Sequence, residues 1–312
     1  MASASKKVIY AALIGNGLIA VTKFIAATVT GSSAMLSEGI HSVVDTGNQV
    51  LLLHGIRKSR KPPDERYPFG HGKEIYFWSF VVAILIFAVG AGISMYEGIL
   101  HLLAPQPVEH PLVNYVVLGA ACVFEGAAWS LAFKEFVRVK GRRGYIEAVQ
   151  TGKDPAMFVV LFEDSAALLG LVVAFVALLL GQATGNLYFD GAASVAIGLI
   201  LAGTAMWLAY ETKGLLIGES ANREIVEGIG KMVRSFQEIE KVNEILTMHM
   251  GPQYILVNLS VHFNDRLPLG EVEKTVTRID ASIKEAYPRV KRIFIESESW
   301  QSASAQGAAR TP

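Results

Sequence analysis

A histidine and an aspartate four residues apart, His41 and Asp45, stand inside the largely apolar segment SAMLSEGIHSVVDTGNQVLLL. In a helix, four residues turn about 40° and climb about 6 Å, so both side chains share one face. An imidazole nitrogen and a carboxylate oxygen so placed can touch the same metal ion. Ionisable groups at membrane depth cost about 2.5–3.5 kcal/mol each on insertion scales, and each therefore demands a partner, an aqueous cavity or a function. Two further apolar segments repeat the anomaly: DPAMFVVLFEDSAALLGLVVAF carries Glu163 and Asp164, and ACVFEGAAWSLAF carries Glu125. At 1.5 Å per residue, Asp45 lies about 16 Å, and Asp164 and Glu125 about 12 Å, from the ends of their segments that adjoin Lys- and Arg-rich connections. One imidazole and several carboxylates in a common slab describe a cavity for a divalent first-row cation. Glu125 also fits an uncharged carboxyl hydrogen-bonded to a neighbouring helix.

Glu163 and Asp164 point about 100° apart and cannot both face one ion without distortion. Glu163 shares a stripe with Ala166, Ala167, Gly170 and Ala174, where a neighbouring helix can approach closely. Lys23 and Glu38 call for a different reading. They flank the Thr30-Gly31-Ser32-Ser33 turn, each about 10 Å inside its segment, a placement that suits a structural ion pair between the first two helices. The alternative is a Lys23 that snorkels outward while Glu38 guides cations to the cavity.

The elements that must position these groups follow from composition. The 312 residues are 52% hydrophobic and 18% charged, with a mean hydropathy of +0.38, against about 25% charged in soluble proteins. No Lys or Arg occurs between Lys73 and Lys134 or between Lys153 and Lys213, and only Lys23 between Lys7 and Arg57. Six apolar runs fill those gaps, at 8–30, 34–56, 75–99, 113–133, 156–181 and 188–211. The segment between runs two and three holds Arg57, Lys58, Arg60, Lys61, Arg66 and Lys73. That between four and five holds Lys134, Arg138, Lys140, Arg142, Arg143 and Lys153, and the other three connections hold no Lys or Arg. The positive-inside rule then predicts a multi-pass integral membrane protein with both termini cytoplasmic, in a plasma or inner membrane. A soluble enzyme, a basic nucleic-acid binder and a disulfide-stapled secreted domain do not fit, since net charge is zero and Cys122, the lone cysteine, sits in an apolar run.

Beyond Thr212 the pattern changes. Ile225, Ile229 and Val233 recur at helical spacing over 223–236, and strand alternation begins after Glu240. In Tyr254–Phe263 the residues Ile255, Val257, Leu259, Val261 and Phe263 share one face, after a Gly251-Pro252 turn. A helix over 270–286 and a strand over 290–296 complete a helix, strand, strand, helix, strand order, an α+β domain with helices on one face of a small sheet. The expected domains are thus a six-helix membrane domain (1–211), a cytoplasmic αββαβ domain (212–300) that is marginal unless it dimerises, and a disordered tail (301–312).

Together these features resemble the cation diffusion facilitators. The resemblance rests on six spans, His41-x-x-x-Asp45 in the second, an acidic pair in the fifth, Tyr67-Pro-Phe-Gly-His-Gly-Lys-Glu74 before the third, Asp190 opening the sixth, and the αββαβ tail, and it covers residues 8–298. It implies a homodimer with a metallochaperone-like tail domain at the dimer contact, which exports zinc or a similar ion in exchange for protons by alternating access. It makes His41, Asp45 and Asp164 metal ligands. Val160 stands where many relatives place a fourth ligand, and Glu163, Glu125 or a water could fill that role. The Glu-Asp doublet looks like a divergent branch that includes mitochondrial zinc-transporter-like proteins. With one nitrogen and mostly oxygen donors, iron, manganese and cobalt become alternatives to zinc. In the cytoplasmic loop, Asp64 and His71 match two of three residues that bind a second ion in some relatives, with Tyr67 at the third position. The histidines that relatives use in the tail are missing here, so the tail is expected to bind no metal, and no bound cofactor is implied beyond the transported ion and protons. The rivals are an intramembrane metalloenzyme, for which no His-Glu-x-x-His motif occurs, and a sensor that binds metal without moving it.

Overall fold

The computed structural model describes residues 2–107, 111–141, 144–150 and 152–298. It divides into two compact units, one made of Met1–Lys58 and Glu74–Lys213, the other of Ser59–Lys73 and Gly214–Pro312.

The first unit is helical: α1 (Ala2–Thr30), α2 (Ser33–Ser59), α3 (Glu74–Leu85) running through a π-helical stretch (Ile86–Ala91) into α4 (Gly92–Leu103), α5 (Pro111–Lys140), the short α6 (Tyr145–Gln150), α7 (Pro155–Thr184) and α8 (Tyr188–Ile217). Among the described residues four stretches, Glu74–Leu103, Leu112–Lys140, Pro155–Thr184 and Tyr188–Ile217, are long and apolar enough to cross a bilayer. They turn Leu131, Val172 and Leu199 outward, as lipid contact allows. Local chemistry sets the helix ends. Gly31, at φ 66°, lets the chain reverse between α1 and α2, Pro155 starts α7 where no amide partner is needed, and Gly185 closes α7 in the left-handed conformation. α4 and α8 approach to backbone distance, because a Cβ on Gly98 would stand 2.6 Å from the Val195 nitrogen.

α2 departs from its neighbours. It buries Ser37, Glu38, His41, Ser42, Asp45, Asn48 and Gln49 while Val43 and Val50 are each half exposed. This inverts the pattern of a helix in water, and the polar residues it takes inward are what dilute its apolar run.

The second unit holds α9 (Arg223–Arg234), β1 (Ile239–Gly251), β2 (Tyr254–Phe263), α10 (Leu269–Ala286) and β3 (Val290–Ser297). The strands lie in the order β1-β2-β3, with β1 and β2 antiparallel and β2 and β3 parallel through α10. Ile255, Val257, Leu259 and Val261 of β2 are fully buried in one core with Ile229 and Val233 of α9 and Ile279 and Ile283 of α10, as the alternating sequence requires. The sequence reading runs its first domain unbroken to residue 211, whereas the structure groups 59–73 with the sheet. The reason is local: Gly72 lies so close to the Met250 carbonyl and Gly251 that a side chain there would overlap them, and Phe69 meets Phe294 edge-on at 6.5 Å. The tail expected at 301–312 lies outside the described residues.

Candidate metal centre

α2 supplies the first half of the centre. Its helical turn sets His41 Nε2 3.3 Å from Asp45 Oδ2, both side chains being almost wholly buried. That contact lacks hydrogen-bond alignment, and among the described residues neither imidazole nitrogen nor Asp45 Oδ1 has a hydrogen-bond partner. α7 supplies the second half through Glu163. The Asp45 and Glu163 carboxyl groups are neighbours across the α2–α7 junction, and carboxyls so placed can share a proton or a cation. Asn48, one turn beyond Asp45, donates from Nδ2 to Glu163 Oε1 at 2.6 Å and fixes that carboxyl in place.

Asp164 and Glu125 are buried near enough for their charges to act on Asp45. Glu125 finds no hydrogen-bond partner for either oxygen among the described residues, so the neighbour that the sequence reading allowed it is not seen there. Trp129 of α5 donates from Nε1 to Ser165 Oγ at 2.9 Å, which ties α5 to α7 one residue from Asp164. Of the adjacent acids, Glu163 faces α2 directly, on the small-residue stripe where Ala166, Ala167, Gly170 and Ala174 are also buried. Among the described residues no three His, Cys, Asp or Glu side chains stand at the mutual spacing of a metal's ligands. His41 meets Asp45, and Asp45 neighbours Glu163, Asp164 and Glu125.

One helical stage away along α2, Lys23 Nζ is 3.0 Å from Glu38 Oε2 and donates to Ser42 Oγ at 2.9 Å, with both charged side chains fully buried. Gly170 of α7 makes room for this pair, since a Cβ there would run into Glu38 Oε1.

In the second unit, His71 Nε2 lies 2.8 Å from Asp64 Oδ2, and the Tyr67 backbone N–H donates to Asp64 Oδ1 at 2.7 Å. The His71 hydrogen bond, helped by that amide, holds the Asp64 carboxyl below the ordinary carboxylate range. The Tyr67 ring packs on the His71 ring at 4.5 Å. In the sheet, His249 pairs with Ile255 beside the hairpin turn and His262 with Lys241 at the far end, so the two imidazoles do not meet.

Sequence reasoning missed Asn48 and Ser42. Both were within reach of the periodicity argument, because Asn48 lies seven residues beyond His41 and three beyond Asp45, and Ser42 lies four beyond Glu38.

Residues 9–217 match the cation efflux transmembrane domain. The chain belongs to the cation efflux family, the cation diffusion facilitators. Members of that family are transporters and not enzymes, which removes the metalloenzyme alternative. Similar proteins include the mitochondrial proton-coupled zinc antiporter SLC30A9 of Homo sapiens, 35% identical over 84% of this chain and 46% of its own length. Another is metal tolerance protein C4 of Arabidopsis thaliana, 28% identical over 84% of this chain and 58% of its own length. The manganese efflux system protein MneP of Bacillus subtilis is 25% identical over 93% of this chain and 95% of its own length. The chain spans about half the length of the zinc antiporters it matches.

Proposed function

We propose that this cation efflux protein is a homodimeric exporter of divalent metal, exchanging the ion for protons by alternating access. The observation that carries the proposal is the buried junction of α2 and α7, where His41, Asp45, Asn48 and Glu163 connect. Metal ligands must be free of protons to bind, so ion and protons compete for the same atoms. The facing carboxyls of Asp45 and Glu163 give that competition a physical form, because a proton or a cation can bridge them but not both at once. His41, Asp45 and Asp164 act as ligands, with Glu163 or Glu125 completing the shell. Helices α1 and α2 cross the membrane with the four more apolar stretches, giving six spans and two cytoplasmic termini in a plasma or inner membrane. Asp64 and His71 form a second cytoplasmic ion site.

Zinc is the first-ranked cargo, in line with the name of the 35% identical relative. Manganese is the second reading, favoured by a centre with one imidazole among oxygen donors and by the MneP likeness. Proteoliposomes given a panel of divalent ions test both. Ion uptake with counterflow of protons is expected, and His41→Ala or Asp45→Ala abolishes it while the protein stays folded. Unchanged flux in either folded variant defeats the ligand assignment, and binding without flux in the wild type points to a sensor.

A further inference from the structure

The helix ends remote from the Lys- and Arg-rich connections carry a charged cluster that the metal centre does not use. Asp190, in the first turn of α8, accepts hydrogen bonds from Ser32 Oγ at 2.6 Å, from the Ser33 backbone N–H at 2.7 Å and from Ser33 Oγ at 2.6 Å. Ser194, one turn further along α8, donates to Ser33 Oγ at 3.0 Å, and His101 near the end of α4 sets its Nδ1 3.5 Å from Asp190 Oδ2. The first amides of a helix have no partner within it. Here Ser32 Oγ accepts the amide of Met35 locally, whereas the amide of Ser33 goes to Asp190, a residue 157 positions away in the chain. The start of α2 is therefore capped by another helix.

Two kinds of contact meet at Asp190. Its neighbour Gly191 seats α8 on the backbone of α4, since a Cβ there would lie 3.0 Å from the Gly98 carbonyl oxygen and from the Leu102 nitrogen. The turn that opens α2 is held to α8 by hydrogen bonds to one carboxylate. Water can replace such bonds, but it cannot replace interlocked backbone without opening a void. Water is also at hand, because the Asp190 and His101 side chains keep 12% and 21% of their exposure. From Ser33 the helix runs unbroken through His41 and Asp45, with His41 about 12 Å along it, so a shift of the first turn is carried to the centre. We propose that Asp190 is a positioning residue for transport: a carboxylate on α8 that clamps the outer end of α2 and must release Ser32 and Ser33 before His41 and Asp45 can open to the outer side. This rests on the transport reading above, with its orientation, and adds to it a residue that does not touch the ion.

The test reads the closure of that end directly. Ser37 lies one turn beyond Ser33, is fully buried, and its hydroxyl has no hydrogen-bond partner among the described residues, so Ser37→Cys in a Cys122→Ser background serves as reporter. Labelling by a membrane-impermeant maleimide added on the outer side is measured in proteoliposomes of the full chain beside Zn²⁺ flux, with thermal unfolding as the check on folding. Asp190→Asn is expected to speed labelling about tenfold and to raise the KM for Zn²⁺ offered on the cytoplasmic side by a similar factor, because fewer molecules hold the centre open to that side, without a fall in kcat. Ser33→Ala, which removes one of the three bonds, is expected to move both readings the same way by about threefold. A folded Asp190→Asn with wild-type labelling overturns the proposal, and so does a lowered kcat at unchanged KM, which loss of active protein alone would produce. Should Asp190→Asn fail to fold, Ser33→Ala decides in its place, and unchanged labelling there overturns the proposal. Labelling needs no ion movement, so wild type that moves no Zn²⁺ defeats transport yet leaves the labelling comparison standing, whereas wild-type transport with unmoved labelling in the variants defeats only the role of Asp190.

Discussion

The two units of this chain treat charge in opposite ways. In the sheet unit ion pairs lie on the surface, Arg223 with Glu227, Lys274 with Glu271 and Lys284 with Asp280, while the core is Ile, Val and Leu. In the helical unit Lys23, Glu38, His41, Asp45, Glu125 and Glu163 are buried, and valines and leucines face outward. Solvent explains the contrast. Water rewards exposed charge and buried hydrocarbon, whereas lipid is as apolar as a leucine side chain and leaves polar groups only the interior. Buried charge in the sheet unit would lower stability without return. In the helical unit it gathers along the inward face of α2 and the faces of α5 and α7 beside it.

Substitutions at matched positions sharpen this contrast. The largest effect is expected for Glu38→Ala, which leaves the Lys23 ammonium buried without its carboxylate and costs about 3–5 kcal/mol, read as a loss of folded protein in thermal unfolding. Leu259→Ala removes a fully buried side chain from the sheet unit and is expected to cost about 2–5 kcal/mol by the same measurement, through cavity and lost transfer rather than charge. Gly170→Ala drives a methyl into Glu38 Oε1, and since Lys23 clamps that carboxylate the substitution is expected to cost about 1–3 kcal/mol. Lys284→Ala breaks only a half-exposed pair and should change stability by less than about 0.5 kcal/mol. If Lys284→Ala rivalled Glu38→Ala, the contrast between the units would be broken.

The smallest effect concerns pH. Asp64 is held below its ordinary range in the folded chain by His71. Its contribution to stability is therefore fully present above the range where the unfolded carboxyl titrates and is lost as pH falls through the lower folded value. His71→Ala should return the Asp64 titration toward the ordinary range, followed by the carboxyl carbon shift in NMR, with no change in the stability of the helical unit.

Much of the fold was legible because it follows from period and solvent. The alternation in Tyr254–Phe263 placed β2 to the residue, and the helix expected over 270–286 is α10 within one residue. The expected helix over 223–236 runs two residues past α9, where the backbone turns at Ser235. The loop 59–73 carried no such signal, since its place beside the sheet depends on Gly72 fitting against the Met250 carbonyl, a contact between residues far apart in the chain. At the centre, the four-residue spacing of His41 and Asp45 was readable from helix geometry alone.

Sequence by itself determined which residues could not be left facing lipid, because the cost of a charge at membrane depth is a property of the side chain and its solvent. It also determined which residues within one helix share a face. Only tertiary structure decided how those faces meet: that the contact face already read for Glu163 packs on α2, where Glu163 takes the Asn48 amide, and that Lys23 leans on Ser42 as well as on Glu38. Those choices depend on the rotation and separation of packed helices. Small residues such as Gly170 set that packing, through contacts that no local period encodes.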